Sequence, residues 1–192
     1  MIFIYFKYFM IFLMVGFISS FRSSLSPEIY NLNSIKIKEG FMSLEHIFPK
    51  CYMNKKSYND LHNIFKCNNL INNYRSNYKY TDETLININD FTKLYNTDNY
   101  ISSKLKLFVP EKESRGIIAR SIMYISFDYN YKFNKVIDSD ILIKWCLNYP
   151  PNEEEIQHNH MVFIKQYNKN KFIDSYNKKN YKNYILKLFN KK

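Results

Sequence analysis

Ser43-Leu44-Glu45-His46-Ile47-Phe48-Pro49, then Asp60-Leu61-His62-Asn63, then Asn72 with Arg75 and Asn77, is the stretch that decides the architecture of this chain. The apolar content of residues 41–47 predicts a short strand ending at His46, and Pro49 blocks its continuation. Residues 54–59 read as a turn-rich loop. Residues 61–65 predict the returning strand and residues 68–77 a helix, with Leu70 and Ile71 turned to the core and Asn72 elsewhere. The unit is strand–strand–helix.

Outward from it, residues 23–37 are polar and are expected to wrap the surface. Residues 80–103 are rich in Asn and Asp, without periodicity, and predict loop with one short element. Pro110 opens a stronger helix, in which Ile117, Ile118, Ser121, Ile122 and Ile125 recur at helical spacing behind Glu111 and Glu113. Residues 138–147 form a second amphipathic segment with Asp138 as its cap, stopped by Pro150-Pro151. Asn152 caps a third helix led by Glu153, Glu154 and Glu155 and running to about Lys165. Tyr181, Tyr184, Ile185 and Leu188 mark one face of a terminal helix. The expected fold class is α+β: a ββα finger on a helix-rich single domain over residues 21–192, with a basic C-terminal segment from about 177.

With 192 residues and 46% hydrophobic content, the chain is globular and has the length of one domain. A net charge of +11 favours a polyanionic partner, although an Asn-, Ile- and Tyr-rich composition points to A/T-rich coding that inflates the lysine count. From Lys165 onward, lysines alternate with Tyr167, Tyr176, Tyr181 and Tyr184. That pattern suits single-stranded nucleic acid, and equally a solvated basic tail with its aromatics buried. Residues 1–20 read as a secretory signal peptide, with an uncleaved membrane anchor through residues 2–18 as the alternative. Cleavage would leave a secreted, extracytoplasmic monomer without a membrane span. Cys51, Cys67 and Cys146 are odd in number; Cys51 and Cys67 could pair, but small buried residues are the plainer reading.

Phosphodiester cleavage needs an activated nucleophile, charge stabilisation at the phosphate and relief of charge on the leaving oxygen. Glu45 supplies a formal charge and Asn72 a neutral oxygen, a donor set that suits Mg²⁺. His46 is the candidate base, because a neutral imidazole with an ordinary pKa of about 6.5 accepts a proton at neutral pH. Successive strand residues point to opposite faces, so Glu45 and His46 can serve one phosphate only if His46 sits at the strand end. Taken alone, Glu45-His46 is more readily an incidental surface pair. His62 reads as a hydrogen-bonded histidine bracing the site rather than a ligand. His158 and His160, two apart on one helix, cannot share a face and are expected to be exposed. Arg115 and Arg120 suit either phosphate or pairing with Glu111 or Glu113.

Together these residues resemble the endonuclease I family of secreted bacterial nucleases, within the ββα-metal (His-Me finger) group. The resemblance rests on Glu45-His46-Ile47-Phe48-Pro49-Lys50, Asp60 to Phe65, Asn72 to Asn77, Arg115 to Tyr124, Leu142 to Trp145 with Pro150, Glu153 to Glu155, Asn159, Gln166 to Asn170 and Phe172-Ile173-Asp174. It implies metal-dependent, sequence-nonspecific cleavage of DNA, often of RNA too, leaving 5′-phosphate ends. By that resemblance His46 is the general base, and Glu45 and Asn72 hold one Mg²⁺, with Mn²⁺ or Ca²⁺ as substitutes. Arg75, Asn77, His62, Asn63 and Lys50 are assigned to phosphate contact or site support. The loop between His46 and Asp60 resembles the compact branch, which lacks a phosphate-binding arginine there; Lys50, Lys55 or Lys56 would stand in without its bidentate contact. The family's late segment reads Gly-Asn-Arg-Asn-Pro-Phe, whereas this chain has Tyr167-Asn168-Lys169-Asn170-Lys171-Phe172. A positive φ required at Tyr167 would be costly. These departures keep open a second expectation, a weak or inactive relative that binds nucleic acid electrostatically.

Overall fold

Strand β1 (Met42–His46) pairs antiparallel with β2 (Ile64–Asn68), so that His46 opposes Ile64 and Ser43 opposes Cys67. The computed structural model describes residues 27–30 and 42–190; the signal-peptide expectation for residues 1–20 lies outside them. β2 starts three residues later than the apolar run suggests. Residues 61–63 form a 3₁₀ turn instead, because the Asp60 carboxylate accepts the His62 N–H at 2.9 Å and caps it. Helix α1 (Asn69–Arg75) follows at once, capped by the Asn68 side chain on the Leu70 N–H, and it ends at Ser76 with φ 50°. Ile71 is fully buried, whereas Leu70 is only half-buried.

Residues 80–103, expected as loop with one short element, instead contribute to a second sheet that extends over residues 79–109. Strands β3 (Lys79–Tyr80), β4 (Thr92–Lys93), β5 (Tyr100–Ser102) and β6 (Leu107–Val109) lie in the order β3-β6-β5-β4, with only the β3–β6 pair parallel. Strands of two or three residues are too short to show alternation in a sequence.

Helix α2 (Arg115–Asp128) is the axis of the molecule, buried on every side from Arg115 to Ser126. It begins after a 3₁₀ turn at residues 112–114 rather than at Pro110. Gly116 is required by the fold: a Cβ there would lie 2.5 Å from the Tyr149 carbonyl oxygen. α3 (Ser139–Asn148) packs on α2. Asp138 occupies its N-cap position without capping, and its carboxylate takes the Lys79 ammonium at 2.6 Å instead. α4 (Glu153–Gln166) is capped by Asn152, which accepts the Glu155 N–H at 2.8 Å. Short α5 (Lys171–Asp174) and α6 (Tyr181–Phe189) close the order, α6 burying Tyr181 and Ile185. The fold is α+β.

One core cluster joins the finger, the second sheet and the helices, from Ile71 through Phe108 and Ile118 to Trp145 and Phe172. It also contains Ile29 and Tyr30, both fully buried. The expectation that residues 23–37 wrap the surface is therefore wrong over the described residues 27–30. There Ile29 N–H donates to Lys66 O and the chain runs beside β2.

Candidate active site

Asn72 and Arg75 lie one turn apart on the face of α1 that covers β1. Asn72 Nδ2 donates to Ser43 Oγ (2.9 Å) and to Leu44 O (3.3 Å). Arg75 spans the end of the strand, donating to Ile47 O at 2.6 Å and to His46 O at 3.4 Å. Its Nε lies 3.2 Å from Glu45 Oε1, an ion pair without hydrogen-bond alignment. Glu45 shares the Ser43 side of the strand, so Glu45 and Asn72 meet the same α1–β1 interface.

The Glu45 carboxylate is 2% exposed and accepts one side-chain hydrogen bond, from the Tyr30 hydroxyl at 3.0 Å. Burial pushes its carboxyl above the usual range, while Arg75 and the Tyr30 hydrogen bond pull it back. Burial also raises the Tyr30 phenol, with Glu45 adding to it, so this hydroxyl stays a donor. Arg75 remains charged: burial opposes the cation, but Glu45 and the two neighbouring phenols, Tyr80 and Tyr30, raise it overall.

These residues fit a hard divalent cation. With Nδ2 committed to β1, Asn72 keeps Oδ1 as its acceptor. With Oε1 taken by Tyr30 and Arg75, Glu45 keeps Oε2. Two oxygens carrying one formal charge, half-exposed on the Asn72 side, match an ion that retains several waters. Among the described residues no group of three His, Cys, Asp or Glu side chains forms a metal cage.

His46 is the last residue of β1, and its ring is half-buried. Nε2 lies 3.0 Å from the Tyr58 carbonyl oxygen, which can only accept. Nε2 therefore carries the proton of the neutral ring, and Nδ1 carries the basic lone pair. The Lys50 ammonium sits 4.2 Å over the Tyr58 ring, which puts an exposed cation beside the loop that holds His46. Lys55 and Lys56 are exposed in the same loop.

The remaining candidates divide into braces and bystanders. Asn63 bridges Phe48, accepting its N–H at 2.7 Å and donating to its carbonyl at 3.0 Å, and so fixes the chain after His46. His62 is buried in the turn before β2, its Nε2 3.4 Å from Asn168 O and its ring 4.5 Å from that of Tyr124. Burial lowers its pKa to about 4, against the opposing pull of Asp60. Asn77 is exposed and reaches Tyr52 and Cys51, not Glu45 or His46. His160 is exposed, but His158 corrects the expectation: it is buried on the inner face of α4, within 3.0 Å of Leu61 O. Arg120 pairs with Glu155 at 2.8 Å and Arg115 with Glu83, so neither makes the expected pairing with Glu111 or Glu113. Cys51 is exposed and Cys67 buried, and neither is in a disulfide.

A family model described as Endonuclease I matches residues 31–177, well over half of the chain. The chain belongs to the endonuclease I family. It is thus a nuclease whose substrate is nucleic acid, and its family is generally metal-dependent.

Two departures from the endonuclease I pattern can be located. The segment after α4 does place Tyr167 in the left-handed region, at φ 59°, where the family has glycine. The residues on either side of it are hydrogen-bonded. Gln166 accepts the Leu61 N–H at 2.9 Å and donates to Asp60 at 3.1 Å, and Asn170 caps α5. The short loop before Asp60 offers Lys50, Lys55 and Lys56 in place of an arginine. Tyr30, Tyr80 and the Tyr58 carbonyl escaped the sequence reading. A backbone carbonyl carries no residue-type signature, and Tyr30 stands among polar residues with no pattern around it.

Proposed function

We propose that this endonuclease I family member is a secreted, Mg²⁺-dependent, sequence-nonspecific endonuclease acting on DNA and also on RNA, leaving 5′-phosphate ends. Export would use residues 1–20 as a signal peptide. No helix among the described residues is long and apolar enough to cross a membrane. The observation that supports the catalytic reading is the Tyr58 carbonyl at His46 Nε2, which favours the tautomer with its basic lone pair on Nδ1 at the very end of β1.

In this reading His46 Nδ1 takes a proton from the attacking water as the new P–O bond forms and the bond from phosphorus to the 3′ oxygen breaks, the leaving 3′ oxygen taking its proton from solvent. Glu45 and Asn72 would hold the cation. When bound, it supplies charge neutralisation at the scissile phosphate and the leaving oxygen. Arg75 and Asn63 keep the ends of the strand and the following turn in place, so that His46 and Glu45 project from a fixed backbone. Lys50, Lys55 and Lys56 offer point charges for flanking phosphates.

The alternative, a weak or inactive relative that binds nucleic acid electrostatically, is separated from this reading by assay. Supercoiled plasmid and a single-stranded RNA, each incubated with the purified protein and Mg²⁺ with and without EDTA, test the proposal. Nicking and RNA shortening that EDTA stops are the expected result. A salt-sensitive gel shift without any strand cleavage would overturn it in favour of the binder.

A further inference from the structure

Tyr30 is fully buried, sits at φ 69° and is anchored through its main chain at two points. Its N–H donates to Ser114 Oγ at 3.1 Å, and its carbonyl accepts from Asn99 Nδ2 at 2.7 Å. A buried tyrosine at positive φ is strained, and the surrounding contacts hold it there. What this anchoring fixes is the phenol, whose proton goes to Glu45 Oε1 at 3.0 Å. Having given up its one proton, Tyr30 Oη is left as an acceptor for the Tyr80 hydroxyl, which lies in hydrogen-bond contact with it. Of the other groups at the carboxylate, the His46 N–H is a backbone donor, whereas Arg75 Nε is an ion-pair contact without hydrogen-bond alignment and the guanidinium's hydrogen bonds go to backbone carbonyls.

We propose that Tyr30 is a positioning residue for the metal-binding carboxylate: the short segment 27–30, which lies ahead of the family-matched residues 31–177, completes the site by fixing Glu45 through the Tyr30 hydroxyl. The inference rests on the reading of Glu45 as a metal ligand. Without the Tyr30 hydrogen bond the carboxylate would be held by the His46 N–H and a misaligned cation, and could still turn about its terminal torsions. With Oε1 tied to a strained, doubly anchored phenol, that rotation is removed and Oε2 keeps one direction. Outer partners of metal ligands commonly change affinity by about 10- to 100-fold. The segment bridges β2 at Glu28 and Lys66, so it docks along the finger whose carboxylate it orients.

The test is calorimetric Mn²⁺ binding to the full chain, wild type against Tyr30→Phe, beside the Mg²⁺ dependence of plasmid nicking. Tyr30→Phe keeps the ring and loses the hydroxyl. Mn²⁺ affinity should fall roughly tenfold or more, and the Mg²⁺ concentration for half-maximal nicking should rise in parallel. DNA binding in EDTA should not change. Arg120→Met, which breaks the buried pair with Glu155 and touches nothing at Glu45, serves as the structural control and should lower stability with a much smaller change in affinity. A folded Tyr30→Phe protein with wild-type Mn²⁺ affinity overturns the inference, as does loss of affinity in both variants in proportion to stability. If Tyr30→Phe does not fold, Ser114→Ala replaces it, since it releases the Tyr30 N–H and so loosens the anchor that aims the phenol. Wild-type Mn²⁺ affinity in that variant again overturns the inference. A wild-type protein that binds no divalent ion would instead overturn the reading of Glu45 and Asn72 as metal ligands.

Discussion

At Tyr167 the backbone turns through φ 59° under a side chain that is 84% exposed and makes no compensating packing. Left-handed conformations cost an ordinary residue about 1 kcal/mol relative to glycine. Tyr167→Gly is therefore expected to raise stability by about 1 kcal/mol, or Tm by about 2–4 °C for a domain of this size, read by thermal unfolding. The strain was legible beforehand, because the resemblance puts glycine at that position. Tyr30, strained in the same sense, was not legible, since no repeat or motif surrounds it.

His62 makes a pH prediction at the same scale. Its folded-state pKa of about 4 lies below the ordinary value of 6.5, because burial opposes the imidazolium. The unfolded chain thus binds the proton more tightly. The contribution is fully present above pH 6.5 and is lost as pH falls toward 4, by about 3 kcal/mol in all. Urea unfolding at pH 7 and at pH 4.5 should show the drop in wild type, and His62→Gln should flatten it.

Among elements, those with a local start or stop signal were the readable ones. β1 ends at His46 and α1 starts behind Asn68 because Pro49 and the Asn68 cap act locally, within reach of sequence reasoning. α4 starts behind Asn152 for the same reason. β3 to β6 went unseen because their pairing is decided by partners distant in the chain: Tyr80 lies beside Phe108, and Ile101 opposite it. The bond between α2 and α4 was also hidden. Arg120 and Glu155 are both buried, and 35 positions separate them. Removing one partner of a buried pair leaves an uncompensated charge and costs about 3–5 kcal/mol. Arg120→Met should lower the urea midpoint accordingly, and Arg120→Met with Glu155→Leu should recover much of the loss. Additive losses in the double variant would contradict that coupling.

At the scale of the whole molecule, a +11 charge and a basic loop beside His46 act on affinity rather than on chemistry. Binding of DNA in EDTA should weaken steeply between 50 and 200 mM salt, roughly a thousandfold for six or more phosphate contacts, as measured by fluorescence anisotropy. Chelation should stop cleavage without abolishing this binding.

The most direct measurement is turnover of His46→Ala on plasmid at saturating Mg²⁺, set beside its DNA affinity. If Nδ1 of His46 accepts the proton of water, turnover falls by roughly a hundredfold to ten-thousandfold while affinity stays within about twofold. Cleavage at the wild-type rate by a folded His46→Ala protein would contradict the account.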